Sequence, residues 1–258
     1  MLKLTILGSG SRGNAAVVSC GSTHLLLDCG FSARETARRM RVAGLDADAV
    51  TALLVTHEHA DHVAGAAVFA RRHRVPVLAS AGTMRSSGLL RERGCECSAV
   101  RPGEPARIGE MRVTSFRTSH DCSEPLGYLF EAPDGTRLGI ATDTGVASAE
   151  VLDALAGCHL VGLEVNHDLR MLETGPYPLF LRRRIASDRG HLSNDAAADA
   201  LGRLAHEGLR AVFGMHVSQQ NNLPALAERA LRERLDASGL AHVRVEVASQ
   251  DAPLTHAA

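Results

Sequence analysis

Three histidines and one aspartate, His57, His59, Asp61 and His62, fall within six positions of the stretch TALLVTHEHADHVAG, residues 51–65. Imidazoles and carboxylates at that density have no packing use, and the chemistry they fit is the binding of divalent cations such as Zn, Mn or Fe. Residues 51–56 are apolar and β-branched and are expected to form a buried strand. Alternate side chains of an extended segment point the same way, so His57 and His59 can grip one ion. Asp61 and His62 fall where a helix over residues 63–74 is expected to start, turned toward a second ion beside the first. Two divalent ions roughly 3.5–4 Å apart clamp both the attacking and the leaving oxygen of a displacement. The expectation is a binuclear hydrolytic centre.

Other elements must bring the remaining ligands to this loop. Strands are expected over residues 2–7, 15–20 and 23–28, joined by GSGSRGN and Gly21-Ser22 as an antiparallel meander at a sheet edge. Asp28 follows an apolar run, so its carboxylate either accepts hydrogen bonds from the ligand loop or caps the amphipathic helix expected over residues 31–43. Arg34, Arg38, Arg39 and Arg41 of that helix read as a solvated face. A strand over 75–79 and a helix over 82–93 continue a β-α-β order.

Further along, a strand over 111–116 leads to His120, whose place at a strand end beside a turn suits a third ligand. Asp121 next to it is an alternative ligand, and a strand over 127–131 follows. DGTRLGIATDTG is a hairpin turn and strand that deliver Asp143, either a metal ligand or a turn or cap residue before ASAEVLDALAG. A strand over 159–163 runs into Glu164 and His167. His191 in GHLSN, flanked by glycine and just ahead of a helix that Ser193 or Asn194 caps, is either exposed to exchange protons or an ordinary loop histidine. A strand over 209–215 ends at His216. A helix over 224–238 and a last strand over 241–247 close the chain.

The 258 residues, 45% hydrophobic and 22% charged, with no linker, low-complexity run or repeat, are expected to form one α/β domain spanning 1–258. A net charge of −1 excludes a globally basic nucleic-acid binder and leaves room for a local basic face. No stretch approaches the ~20 apolar residues of a membrane helix, and the N-terminus lacks the pattern of a signal peptide. A cytoplasmic protein without membrane contact is expected, its six cysteines free thiols and the Cys95/Cys97 pair structural.

HxHxDH after a hydrophobic strand resembles the metallo-β-lactamase superfamily, which implies an αββα four-layer sandwich. The resemblance also implies that His120, ahead of Gly127-Tyr128, completes the first metal's ligands, that Asp143 bridges both ions, and that His216 joins Asp61 and His62 at the second. MHVSQQNN resembles the last ligand motif of transfer-RNA 3′-processing nucleases, and LEVNHD with GHLSN resembles their paired Glu and His proton-relay segments. Together with SGSRGN, LLLDCGFS, TSHDCSEPLGY, TDTG and GPYPLFLRRRI, these motifs are similar, over nearly the whole chain, to the YycJ/WalJ group of metallo-β-lactamase-fold nucleases. That group implies a two-metal 5′-to-3′ exonuclease on DNA with a place in repair. The chain lacks both the long insertion of the transfer-RNA enzymes and the inserted domain of larger RNA-cleaving relatives.

The mechanism so implied is in-line attack by metal-activated water oriented by Asp61 and Asp143, with His191 as proton donor assisted by Glu164. Arg182, Arg183, Arg184 and Arg189 are candidate phosphate contacts, although three successive arginines on a helix cannot all face one way. With aromatics at 3% and no Trp, broad base-stacking platforms are not expected, Tyr177 being the exception. The rival readings are a thioesterase or lactonase using the same ions for acyl chemistry, an RNA-processing nuclease of the same fold, and a non-enzymatic, metal-stabilised scaffold in a repair or signalling complex.

Overall fold

The computed structural model describes residues 1–88 and 95–257. Its first sheet runs through β1 (Leu2–Gly8), β2 (Ala15–Cys20), β3 (Thr23–Leu27), β4 (Ala52–Leu54), β5 (Val77–Ala79) and β6 (Cys97–Ala99). The second comprises β7 (Pro105–Ile108), β8 (Met111–Arg117), β9 (Leu126–Glu131), β10 (Arg137–Ala141), β11 (Leu160–Glu164), β12 (Ala211–Met215) and β13 (Arg244–Val247). The final strand, β14 (Leu254–Ala257), returns to the first sheet and pairs antiparallel with β1. Each sheet is ordered sequentially, β14-β1-β2-β3-β4-β5-β6 and β13-β12-β11-β10-β9-β8-β7.

Alternation along the strands decides the layers. Leu25, Leu27 and Leu54 point into the core shared by the two sheets, where Tyr128, Phe130, Ile140 and Phe213 meet them from the other side. Leu26 and Leu53 point outward, onto α1 (Ala33–Val42) and a further helix, through Met40 and Phe69. On the second sheet Val161 and Leu163 point the opposite way, toward Val151, Leu201 and Leu231 of three outer helices. A strand buried on both faces reads as a continuous apolar run, which is why the central strands stand out in the sequence. The result is helix, sheet, sheet, helix: the αββα sandwich.

Around the ligand loop the chain departs from its sequence expectations. The strand of 51–56 shortens to β4, and the helix of 63–74 splits into α2 (Ala60–Val63) and α3 (Ala66–His73). Asp61 and His62 therefore sit inside a helical turn. The break falls at Gly65, where a Cβ would collide with the Phe31 carbonyl oxygen. The helix of 82–93 is seen as α4 (Ala81–Ser86), and residues 89–93 lie outside the described residues. The strand of 241–247 is not the last: β14 follows it, so β1 is an interior strand rather than a sheet edge. Its short, half-polar sequence, LTHA, carries little signal of pairing. The other helices are α5 (Ala149–Leu155), α6 (Leu169–Thr174), α7 (Leu179–Ile185), α8 (Asn194–Leu204) and α9 (Pro224–Ala237). Among the described residues, no helix is long and apolar enough to cross a membrane.

Arg39 corrects the solvated reading of α1. It is buried, donates from Nη1 to the carbonyls of Leu7 (2.9 Å) and Gln250 (2.8 Å), and stacks on Phe31 at 3.9 Å. One side chain so ties β1, α1 and the C-terminal segment together. Arg39→Met leaves two buried carbonyls without a donor and is expected to cost about 2–4 kcal/mol, read as a lower urea midpoint. Arg38 pairs with Glu35 at 2.7 Å on the exposed side of the helix. Arg38→Met is expected to cost about 1 kcal/mol or less, and equal losses from the two variants would contradict this division of roles.

Candidate metal centre and cleft

Three strand ends turn sharply to aim their side chains into one cleft. Asp28, Asp143 and His216 have φ of 59°, 54° and 54°, the left-handed region that costs a residue with a Cβ. Strain of that kind persists only where surrounding contacts over-determine it. The contacts are present: Thr56 N donates to Asp28 Oδ1 (2.8 Å), Asp28 Oδ2 meets His62 Nδ1 (2.8 Å), and His216 N donates to Ser9 Oγ (2.9 Å). The cap of α1 is Ser32, and Asp28 serves the ligand loop instead.

His57, His59 and His120 form one group of converging ligand atoms. The His120 ring meets the Gly190 carbonyl through Nδ1 at 2.9 Å. A carbonyl can only accept, so Nδ1 carries the proton and Nε2 turns a lone pair toward His59 Nδ1, 3.3 Å away. His57 follows the same logic. The Thr56 hydroxyl gives its one proton to Asp28 Oδ2 (2.9 Å) and so accepts from His57 Nδ1 (3.0 Å). That leaves the buried His57 Nε2 as a lone pair with no hydrogen-bond partner. Burial also holds the pKa values of both rings below that of a free imidazole, keeping them neutral.

Asp61, His62 and His216 form the second group. His62 Nε2 lies 3.4 Å from Asp61 Oδ2, and His216 Nε2 lies 3.8 Å from the same oxygen. Burial would lower the pKa of His62, yet Asp143 and Asp28 outweigh it and raise that pKa well up. The same carboxylates favour a cation at Nε2 in place of a proton. Asp143 links the groups: Oδ2 is 2.9 Å from His216 Nδ1 and 3.3 Å from His62 Nε2, and Oδ1 is 3.9 Å from His120 Nε2. Burial opposes its charge, but His216 and His62 keep its pKa well below the usual carboxylate range. An orphaned nitrogen, the His120 Nε2 lone pair and buried carboxylates make a donor set that fits two divalent cations.

His191 stands at the edge of this centre, its ring centroid 5.0 Å from that of His120 and 5.2 Å from that of His216. Its Nδ1 bonds to Glu164 Oε1 at 2.7 Å. Burial would lower its pKa, and Glu164 overrides that and lifts it to about 9. Glu164 is fully buried, and its other oxygen accepts from Thr144 N (2.9 Å) and Leu192 N (3.3 Å). Its burial leaves it contact with the cleft only through His191. Gly190 makes the turn possible, since a Cβ there would strike the Arg184 and Ile185 carbonyls.

The candidate phosphate contacts divide. Arg184 lines a cleft of about 280 Å³ that opens over the two groups, and its Nε donates to Asp121. Arg182 and Arg183 line a separate apolar depression with Leu169 and Leu179, so helical geometry turns both away from the cleft. Arg189 donates Nε and Nη2 to the His120 carbonyl at 3.3 and 3.2 Å, steadying that ligand's backbone. Asp121 stands outside the first ligand group, its Oδ1 3.4 Å from His120 Nε2, so the structure gathers His120 rather than Asp121 with His57 and His59. His167 is buried away from the cleft, with Nδ1 unpartnered and its pKa lowered by burial to about 4.

Sequence reasoning missed Asn14. Its Nδ2 lies 3.2 Å from Asp61 Oδ2 and 3.0 Å from His62 Nε2, and its backbone N donates to the Asp61 carbonyl at 2.8 Å. The polar end of the loop GSGSRGN was the available signal.

Residues 23–217 match the beta-lactamase superfamily domain. The chain is 34% identical to exodeoxyribonuclease YycJ of Bacillus anthracis over 92% of its length and 90% of the relative's. It is 30% identical to exodeoxyribonuclease WalJ of Streptococcus pneumoniae over 90% of its length and 88% of that protein's. Among solved structures it resembles the metallo-beta-lactamase fold protein YhfI of Bacillus subtilis, with a TM-score of 0.73 and 14% identity, covering 99% of both chains, a likeness of fold alone. The fold, the gathered histidines and aspartates and this similarity over most of both chains agree, and the chain belongs to the YycJ/WalJ group of the beta-lactamase superfamily.

Proposed function

We propose that this chain is a metal-dependent nuclease that removes nucleotides from the 5′ ends of DNA, acting as a single domain on residues 1–258. The observation that carries the reading is the His191–Glu164 pair at 2.7 Å, a proton donor backed by a buried carboxylate beside two groups of ligands. The names of the two relatives matched over most of their length, both exodeoxyribonucleases, support DNA as the substrate. Resemblance of the motifs supports the 5′-to-3′ direction, a cytoplasmic setting and a role in repair.

His57, His59 and His120 would hold one divalent cation, Asp61, His62 and His216 the other, and Asp143 would serve both. Zn, Mn and Fe all suit these ligands, and when bound such ions supply Lewis-acid polarisation of a phosphoryl oxygen and activation of water. Asp61, a quarter exposed at the cleft floor, orients the attacking water through its carboxylate. His191 uses Nδ1 on Glu164, which leaves Nε2 to hand a proton to the leaving 3′ oxygen. Arg184 at the cleft wall offers its guanidinium to a neighbouring phosphate.

The test is digestion by Mn-loaded and Zn-loaded protein of linear duplex DNA labelled at either end, run beside a panel of lactones and thioesters. Release of 5′-terminal nucleotides with the acyl panel intact is the expected result. Acyl turnover with DNA untouched would refute the proposal.

A further inference from the structure

Helix α7 buries none of its residues, although it begins Leu-Phe-Leu. Leu179 is 54% and Phe180 74% exposed. Its other side, Leu181, Arg184 and Ile185, forms a wall of the cleft together with Tyr177 just before the helix. Phe180 and Arg184 are four residues apart, so they are neighbours on the helix surface and Phe180 stands immediately outside that wall. Residues 176–190 carry four arginines, Arg182, Arg183, Arg184 and Arg189, against one acidic side chain, Asp188.

An exposed aromatic beside arginines at the mouth of a catalytic cleft fits a polyanion whose every unit also carries a π-face. A hydrophobic protein partner would use Leu179 and Phe180 but would have no need of Phe180's place beside the cleft wall. We propose that Phe180, with Tyr177 inside the cleft, is a stacking platform for the bases of a single strand entering the site, while Arg184 holds a flanking phosphate. The end presented to the cleft is then unpaired, and Phe180 faces the first base beyond it. This rests on the nuclease reading above and specifies the form of nucleic acid that the site takes.

The test uses the metal-loaded full chain and a phosphorothioate-linked single strand, which resists cleavage, bearing 2-aminopurine near its 5′ end. Binding to the parent protein is expected to quench the fluorophore by stacking. Phe180→Ala is expected to weaken binding roughly 5- to 100-fold and to lose the quenching, and Phe180→Trp to restore both. The variant's ratio of single-strand cleavage to bis-p-nitrophenyl phosphate cleavage is expected to fall by a similar factor. Tyr177→Ala is expected to act in the same direction.

A Phe180→Ala protein that binds and quenches like its parent overturns the proposal. So does a parent that is a dimer in size-exclusion chromatography and that the variant dissolves, because a second copy would then cover the patch. A parent that cut no DNA would remove the nuclease reading and this proposal together, whereas a DNA-cutting parent with an indifferent variant removes the proposal alone.

Discussion

Asp143→Asn is expected to strip both cations and to reduce DNA cleavage by on the order of 10³-fold or more. Its two carboxylate oxygens serve four imidazoles: Oδ2 faces His62 and His216, and Oδ1 faces His120 and His191. Asp143 converges with His57 and His62 in one set of ligand atoms and lies against His216 and His120 as well, so it reaches both groups. Asparagine is the informative replacement because it tolerates the positive φ of 54° and keeps the side-chain volume while removing the charge. Alanine would add backbone strain to the loss of charge and confuse the two. The check is metal content by mass spectrometry alongside end-labelled cleavage. Retention of two ions with near-normal cutting would show that Asp143 is only a turn residue. Asp61→Ala is expected to lose the second ion and activity together, since Asp61 belongs to one group only.

His191→Ala is expected to keep both ions and the fold while losing roughly 10²-fold or more of cleavage, the range for a missing general acid. The ring shares a set of converging polar atoms with Asp143, Glu164 and His216 but belongs to neither histidine group that would hold the cations, so metal content measured beside cleavage separates proton donation from metal binding. Glu164→Gln tests the pair from behind. Glu164 raises the pKa of His191 to about 9 by stabilising the charged ring. A donor must be protonated, so activity persists below that pKa and falls as pH rises through it. With glutamine in place of Glu164 the charged ring loses its partner, and the alkaline limb of kcat is expected to move to lower pH. A merely structural Glu164 would lower activity at all pH values without moving the limb. A His191→Ala enzyme cutting at the parent's rate would assign the proton donor elsewhere.

The residues the structure gathers were the ones a strand-end argument could reach. His57, Asp143 and His216 each closely follow a buried apolar run, and His120 lies three residues past the end of the half-buried β8. Metal-ligand spacing supplied the rest of the HxHxDH loop. What was illegible depends on contacts between segments remote in sequence. Nothing about Arg39 distinguishes it from Arg38 until Leu7 and Gln250 are brought to it from the two ends of the chain. Asn14 lies 47 residues from Asp61 in sequence, and β14 is identifiable as a strand only through its pairing with β1. The arginine triplet could be counted but not oriented, because which of its members faces the cleft depends on how α7 is docked. Glu164 was legible as a candidate, yet its complete burial, which limits it to acting through His191, was not.

The central claim is that one cleft holds two cations, and anomalous scattering from crystals grown with Zn or Mn tests it most directly. Two peaks are predicted, one among His57, His59 and His120 and one among Asp61, His62 and His216, with the Asp143 carboxylate between them. A single peak, or peaks away from these side chains, would contradict the account.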